Sequence, residues 1–501
     1  MIVLNSKRKP RKMIHIMKFT KSTSFPIIAM FVGLMISIFS PIYVLFLIVG
    51  ALLLFYVLNK PERSIFICMF LYFIPICMGK YFGEAVPISY FVIPIITVLY
   101  LLPKIMQKTP IYSFRRSLNP LLTPTLLYFG VVFASFLRNP IFPSDIPKLR
   151  YESLGIHAWM AYLLSFCYYF VFTEVIATNT RITKTSLRLL WQFSLILSLL
   201  GIILVYSHPA QNVLYNFQNR GIISSSFFDT GGTNLLETRY RDPNIGTPHI
   251  GTLSGVAAMG LFVLLTVRSK IVLKWVLGTF FGYALILSGM RGAFAGAVLA
   301  LVVWLLIKGK PKYLVVSLVI SIALYLGIFV FHENLPGFFQ RTFRIRGGFQ
   351  ELDIGRTEAF SFFWQSFLSH PLFGVGIGHP GFRYSSNWLT FFVSEQLRRG
   401  GHGTYLSLLY LFGLVGFIPF MIALIQGIKS SYGLSLKTGS ELDQSLALFC
   451  FVFLIFNTIP MAFGGAGRNP FYFAIMGIIS GLYIRKRKNL TRFHQQRCDR
   501  I

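Results

Sequence analysis

The residues whose types suit chemistry gather between Arg341 and Phe420, where charge, histidine and glycine interrupt an otherwise apolar chain. Arg356 and His402 lie in this stretch, and Arg291 lies between two earlier apolar runs. A guanidinium binds phosphate oxygens through paired hydrogen bonds. A neutral imidazole near cations, with its pKa held down by them, accepts a proton at neutral pH. These side chains would suit a phosphate-bearing substrate and a proton-transfer step.

Each of these residues also has a purely structural explanation. Arg291 would serve equally as an anchor that snorkels to lipid headgroups, and a lone histidine beside an apolar run is usually structural. Arg356 begins an amphipathic pattern that is typical of an interfacial helix, with Phe360, Phe363, Trp364 and Phe367 on one face. The glycines of 374–378 have no preceding strand, so a close-packed or flexible bend is expected there rather than a nucleotide loop.

Composition places the chain among integral membrane proteins. It is 54% hydrophobic and 13% charged, whereas a soluble domain has about 25% charged residues. The formal charge of +31 follows membrane topology, as shown below, and does not indicate nucleic acid. The five cysteines have no CxxC or CxxH spacing, so neither a metal site nor a disulfide framework is predicted.

Apolar runs long enough to cross a bilayer predict an all-α, polytopic bundle of about 14 transmembrane helices. The runs are 25–39, 41–58, 64–79, 88–102, 120–137, 154–177, 187–206, 245–267, 271–288, 291–307, 312–331, 404–427, 443–462 and 468–484. Because no small-residue cleavage site follows the first run, we interpret it as an uncleaved span.

The distribution of basic residues predicts the orientation. In this arrangement 31 of the 47 Lys and Arg residues fall on the side that holds both termini, so both termini are expected in the cytoplasm. The predicted organisation is a basic N-terminus (1–24), transmembrane helices (25–206), an outer loop (207–244), central helices (245–331), a large outer loop (332–403), final helices (404–484) and a basic tail (485–501). Both long loops then lie on the outer face.

Arg239, Arg241 and Asn244 end the first outer loop, within ETRYRDPNIGTPHIG. They therefore share the outer face with Arg291 and with the second loop. Asn244 follows a proline and would also serve as a turn or helix cap. Convergence of arginines from separate segments is what an anionic, lipid-linked substrate would need.

Four segments together resemble the O-antigen ligase/polymerase superfamily of bacterial membrane glycosyltransferases. They are RDPNIGTPHIG, LILSGMRGAFAG, IGRTEAFSFFWQSFLSHPLFGVGIG and HGTYLSLLYLFGLVGFIPF, which span roughly residues 239–420. The third is similar to the family's arginine, aromatic helix and His-Pro-Leu-x-Gly-x-Gly pattern. The fourth is similar to its His-x-x-Tyr-Leu pattern followed by Gly-Leu-x-Gly.

The resemblance implies a bundle similar to the lipid-dependent (GT-C-like) glycosyltransferases, in the bacterial cytoplasmic (inner) membrane. It implies metal-independent, inverting transfer without a cofactor, from an undecaprenyl-diphosphate-linked glycan donor to the hydroxyl of a lipid-linked glycan acceptor. Arg291 and Arg241 are assigned to the diphosphate, with Arg239, Arg356 and Asn244 as further substrate contacts, His402 to the acceptor hydroxyl and Trp364 to sugar stacking. A flippase and a chain-length regulator would be further partners.

Within the family, a polymerase of repeat units is favoured over a ligase that transfers polysaccharide to lipid A core or protein. Gly403 follows His402 where ligases of this superfamily often have asparagine. A transporter is the alternative from another class. The absence of an evident internal repeat and the scarcity of acidic residues inside the predicted spans argue against it.

Overall fold

The structure is a computed structural model. It describes residues 77–107 except 82, 83 and 88, then 110–138 except 116, 156–206, 250–267, 270–287, 291–309, 315, 361–376 except 362, 404–437, 440–463 and 470–498. All of these belong to one compact unit, Ile65–Ile501. The first outer loop, the first two predicted spans and most of the large outer loop lie outside the described residues.

The described chain is helical apart from one hairpin and one 3₁₀ turn, Tyr112–Phe114. Strand β1 is Cys77–Tyr81 and strand β2 is Glu84–Pro87. The helices are α1 Ser89–Met106, α2 Leu122–Arg138, α3 Ile156–Thr178, α4 Ile182–Tyr206, α5 Ile250–Thr266, α6 Ile271–Leu287, α7 Arg291–Ile307, a short α8 at 363–369, α9 Thr404–Lys437, α10 Glu441–Phe463 and α11 Pro470–Cys498.

The prediction of an all-α membrane protein is confirmed as a class for the described residues. Ten of the described helices overlap ten of the fourteen predicted runs. Three helical segments are long and apolar enough to cross a membrane: Ile182–Ile203, Thr404–Leu436 and Glu441–Ala462. The total of 14 spans stays a prediction, since the runs 25–39, 41–58 and nearly all of 312–331 lie outside the described residues.

Three boundaries differ clearly from the prediction. Helix α11 continues fourteen residues beyond 484, to Cys498, into the predicted basic tail. The end of the run 64–79 is an extended strand and not a helix, because residues 77–81 pair antiparallel with 84–87. Helix α9 continues ten residues beyond 427, to Lys437, so most of the expected connection 428–442 is helical. The hydropathy pattern did not predict this extension, because polar residues such as Lys429 and Ser435 end the apolar run although they do not end the helix.

Helices α3 and α11 form the most closely packed pair. Gly477 and Gly481 of α11 lie one helical turn apart and face α3. A Cβ added at Gly477 would come 2.5 Å from the carbonyl oxygen of Tyr169, and one at Gly481 would come 2.7 Å from that of Thr173. Small residues with this spacing allow two helix backbones to approach closely within a membrane.

Buried charge gathers where α3 ends. Arg485 of α11 is 4% exposed and donates to the carbonyl oxygens of Ile176 and Asn179 and, at 2.8 Å, to Asp443 Oδ1 at the start of α10. Burial lowers the pKa of Arg485, and the Asp443 carboxylate opposes that shift. The connections that the charge distribution assigned to one side, after α3 and before α10, therefore meet at one end of the bundle.

Candidate functional site

The structure positions the helices that carry two of the predicted functional residues, Arg291 and Trp364. Arg291 is the first residue of α7, where only its backbone is described, and Trp364 lies on α8. The remaining predicted residues lie outside the described residues: Arg239, Arg241, Asn244, Arg356 and His402. Their roles stay predictions, and the described helices show which segments come together around them.

Helix α7 approaches α10 at a proline. Pro460 has no N–H, so the carbonyl of Phe456 loses its usual partner within α10. Gly296 of α7 lies against this point, since an added Cβ would come 2.5 Å from the Phe456 oxygen and 3.0 Å from Pro460 Cδ. Arg291 begins the same helix about 7.5 Å earlier along its axis, at 1.5 Å per residue.

Helix α9 begins against the same part of α10. The Tyr405 hydroxyl donates to the carbonyl oxygen of Thr458 at 3.3 Å, between the two α10 residues that face Gly296. His402 precedes Tyr405 by only three residues. The helices that follow the predicted arginine and the predicted base are therefore both fastened to residues 456–460 of α10, which supports their convergence on one site.

Helix α9 is broken at Gly413. This residue has φ 59° and ψ −161°, a conformation that is essentially restricted to glycine. A break of this kind removes intrahelical hydrogen bonds on both sides of it. In a membrane, every freed backbone group must find another protein partner, because lipid offers none.

The turn 370–376 supplies those partners. It continues from α8 and contains the sequence His-Pro-Leu-Phe-Gly-Val-Gly. Four backbone hydrogen bonds join it to α9: Val375 N to Tyr410 O at 2.9 Å, Gly376 N to Leu411 O at 2.9 Å, Leu414 N to Pro371 O at 2.8 Å and Val415 N to Leu372 O at 3.0 Å. The two motifs, which lie about forty residues apart in the sequence, thus form one interlocked unit. We name residues 370–376 the docked turn.

The expectation of a close-packed bend among the glycines of 374–378 is confirmed for the described residues Gly374 and Gly376. Both have left-handed backbone, with φ of 63° and 83°. A Cβ added at Gly374 would lie 2.5 Å from the carbonyl oxygen of Tyr410. Only glycine combines this backbone conformation with so close an approach.

Arg138, the last residue of α2, holds the docked turn from the other side. Its Nη1 donates to the carbonyl oxygen of Gly374 at 2.9 Å. The sequence analysis did not single out Arg138 or the break at Gly413. A basic residue at the end of an apolar run looks like an ordinary interfacial anchor, and no hydropathy signal marks a helix break that another segment satisfies.

Helix α8 does not present its aromatic residues on one membrane-facing surface, as its sequence pattern suggested. Phe363 and Phe367 are buried, and the Phe363 ring packs edge-on against Tyr410 of α9 at 4.9 Å between centroids. Trp364 remains 42% exposed beside Phe367, with 5.4 Å between ring centroids. The interaction with α9 determines which face of α8 is buried, and it leaves Trp364 exposed.

These helices, apolar along most of their length and long enough in three cases to span a bilayer, define a polytopic membrane protein. Residues 275–421 match the family model Wzy_C, described as O-antigen ligase, and this match supports the resemblance of the segment to the O-antigen ligase/polymerase superfamily. Members of the family are membrane glycosyltransferase-like enzymes. No curated protein matches the chain. The matched segment includes α7 and the docked turn, whereas Arg138 and α10 lie outside it.

Proposed function

We propose that the protein polymerises undecaprenyl-diphosphate-linked oligosaccharide repeat units into cell-surface polysaccharide, at the outer face of the bacterial cytoplasmic membrane. The observation that carries this proposal is the interlocked unit within the matched segment. It joins the loop that contains Arg356 to the helix that follows His402. The family match and the membrane-capable helices support a lipid-linked glycan as the substrate class.

In the proposed reaction, a hydroxyl oxygen of the acceptor glycan attacks the anomeric carbon of the donor from the face opposite the diphosphate. The new C–O glycosidic bond forms as the bond from the anomeric carbon to the phosphate oxygen breaks, which inverts the anomeric centre. The acceptor proton passes to His402. Undecaprenyl diphosphate leaves with the bonding electron pair.

Arginines would stabilise the charge that develops on the leaving diphosphate. Arg291 and Arg241 are the proposed principal contacts, and Arg239, Arg356 and Asn244 are the proposed supporting ones. Preorganised cationic donors of this kind stabilise a developing phosphate charge without a bound metal. The exposed indole of Trp364 would stack on a sugar ring.

Ligation is the second candidate, because the matched family is described as O-antigen ligase. A ligase would transfer completed polysaccharide from the same donor to lipid A core or to protein. The two reactions share the donor, the arginines and the histidine, and they differ only in the acceptor. A flippase that delivers the donor and a chain-length regulator would be partners of the polymerase.

The test uses purified full-length protein, undecaprenyl-diphosphate-linked repeat units and EDTA. We expect elongated glycan on the lipid carrier, and a loss of about 10²–10⁴-fold in rate for His402→Ala, the usual scale for a lost general base. Addition of lipid A core as a competing acceptor identifies a ligase if the product appears there instead. A protein that forms no glycosidic bond but moves the glycan across sealed vesicles is a transporter, which contradicts the proposal.

A further inference from the structure

Arg138 lies outside the matched segment and donates a hydrogen bond to the docked turn. Arg138 is the last residue of α2 and is exposed. Helix α2 also packs along α9, so Arg138 connects one membrane helix to a turn that is already inserted in another. The docked turn is thereby held from two sides, by α9 through its backbone and by α2 through one cation.

The geometry of Gly374 explains why a cation is suited to this position. Left-handed backbone at Gly374 directs its N–H to the carbonyl of His370, at 2.9 Å, and leaves its own carbonyl oxygen for Arg138. Along the chain, that oxygen lies between two segments. Val375 and Gly376, which bond to α9, follow it, and the residues that lead back to α8 precede it. A charged donor forms a stronger hydrogen bond to a carbonyl than a neutral one does.

Displacement of the docked turn would have consequences on both sides. On one side it would release Phe363 from Tyr410, and Trp364 would move with α8. On the other it would break the four hydrogen bonds that the turn makes to the backbone groups on both sides of Gly413. The position of α8 and the integrity of α9 therefore depend on the same contact.

We infer that Arg138 is a positioning residue for the glycosyl transfer, which keeps the turn docked in the break of α9. This inference rests on the proposed function. Arg138 acts through Gly374 and the turn, so it sets the relative position of the loop that contains Arg356 and the helix that follows His402. Its loss lowers the rate of the chemical step and leaves donor affinity nearly unchanged.

Docking can be measured without any substrate. Leu372 and Val415 are neighbours across the docked turn, joined by the 3.0 Å backbone bond, and their side chains are 58% and 37% exposed. The double variant Leu372→Cys/Val415→Cys should therefore be joined rapidly by a short thiol cross-linker in detergent-solubilised protein. Each single-cysteine variant controls for reaction with native thiols, of which Cys167 and Cys450 are buried.

Three substitutions are then made in this double-cysteine protein. Arg138→Ala should slow cross-linking about tenfold, on the scale of losing one hydrogen bond from a charged donor. Arg138→Lys should restore most of the rate, because an ammonium group donates to the same carbonyl. The control is Arg181→Ala, which removes an exposed arginine between α3 and α4 and should change nothing. An unchanged cross-linking rate in Arg138→Ala overturns the inference.

The same three substitutions in the otherwise native protein are compared in the transfer assay. Arg138→Ala should lower kcat about tenfold, and KM should stay within about twofold of the native value. This pattern is expected when a lost hydrogen bond changes the position of the catalytic groups and not the binding of the donor. A raised KM with unchanged kcat would make Arg138 a donor-binding residue, and an unchanged kcat with slowed cross-linking would deny the turn any role in transfer. Both results overturn the inference. If even the native protein forms no glycosidic bond, the proposed function fails, and cross-linking still decides whether Arg138 holds the turn.

Discussion

At the scale of single residues, glycines decide how closely the functional segments approach. Gly296 brings α7 onto the carbonyl that Pro460 leaves free, while Gly374 and Gly413 allow the docked turn and α9 to exchange hydrogen bonds. None of these positions has a side chain that could take part in the reaction. Because they lack a Cβ, they allow two backbones to approach more closely than any other residue would.

The strongest test of this role compares two glycines of one helix. Gly413→Ala should lower stability by more than about 1–3 kcal/mol, because the backbone region is restricted to glycine and the added Cβ would also overlap the Leu372 carbonyl. Gly433→Ala, with nothing within 4 Å of an added Cβ, should instead raise stability by about 0.5–1 kcal/mol. Thermal unfolding in detergent measures both. Equal effects in the two variants would mean that the break is not required.

Arg291 provides a second prediction at this scale. Arg291→Lys keeps the positive charge but loses the two-pronged geometry with which a guanidinium binds a diphosphate. We expect the variant to accumulate in the membrane at the normal level and to make much less polymer. Polymer length on gels, normalised to protein level, is the measurement. Full-length polymer from this variant would identify Arg291 as a snorkelling anchor only.

At the scale of helices, Arg485 links the ends of three helices to the middle of α11. It binds the carbonyls that end α3, the Thr183 hydroxyl at the start of α4 at 2.9 Å, and Asp443 of α10, all from its own position on α11. Lys488, one turn later, donates to the carbonyl oxygen of Ala177 at 3.5 Å. Cations at a helix C-terminus also interact favourably with the helix dipole.

Arg485→Ala should therefore destabilise the bundle by about 3–5 kcal/mol, because it leaves a partly buried carboxylate and several carbonyls without their partner. Lys486→Ala, one residue along the same helix, is the matched control and should change stability by less than about 0.5 kcal/mol. The melting temperature in detergent reports both. A normal melting temperature for Arg485→Ala would show that water replaces the guanidinium at this end.

The helices could be predicted from the sequence, and the way they lock together could not. Apolar runs report the transfer of side chains into lipid, so α1–α7 and α9–α11 were predicted. The polar extensions of α9 and α11, ten and fourteen residues long, were not. The break at Gly413 occurs inside an apolar run, and the missing bonds are supplied from about forty residues upstream. Arg485 lies in the predicted basic tail. Positive charges are expected there from membrane topology alone, so nothing in the sequence indicates that this one is buried.

At the scale of the whole molecule, the two ends of the described bundle differ in chemistry. At one end, ion pairs such as Lys104 Nζ to Glu174 Oε1 at 2.8 Å join the connections between helices. At the other, Arg138 binds the docked turn, which in turn binds α9 between Tyr410 and Val415. The orientation predicted from basic residues would place the first end in the cytoplasm and the second on the outer side.

Topology reporters test the assignment of these ends. Fusions at Lys108, Lys310 and Ser440 should report the cytoplasm, and fusions at Gln218 and Gln350 should report the outer side, because basic residues are retained inside. Ser440 is preferred to residues before it because α9 continues to Lys437. Opposite results at Gln218 and Gln350 would separate the two long loops and exclude a site formed by both.

The contact between Arg485 and the end of α3 also constrains the order in which the protein can mature. Ile176 leaves the ribosome 309 residues before the arginine that binds its carbonyl. At about 5–20 residues per second, the end of α3 waits roughly 15–60 s for that partner. During this interval, water or a chaperone must satisfy the exposed carbonyls, and an interrupted translation product would keep them open. Among the described helices, the last to be synthesised thus completes the end of one made about 300 residues earlier.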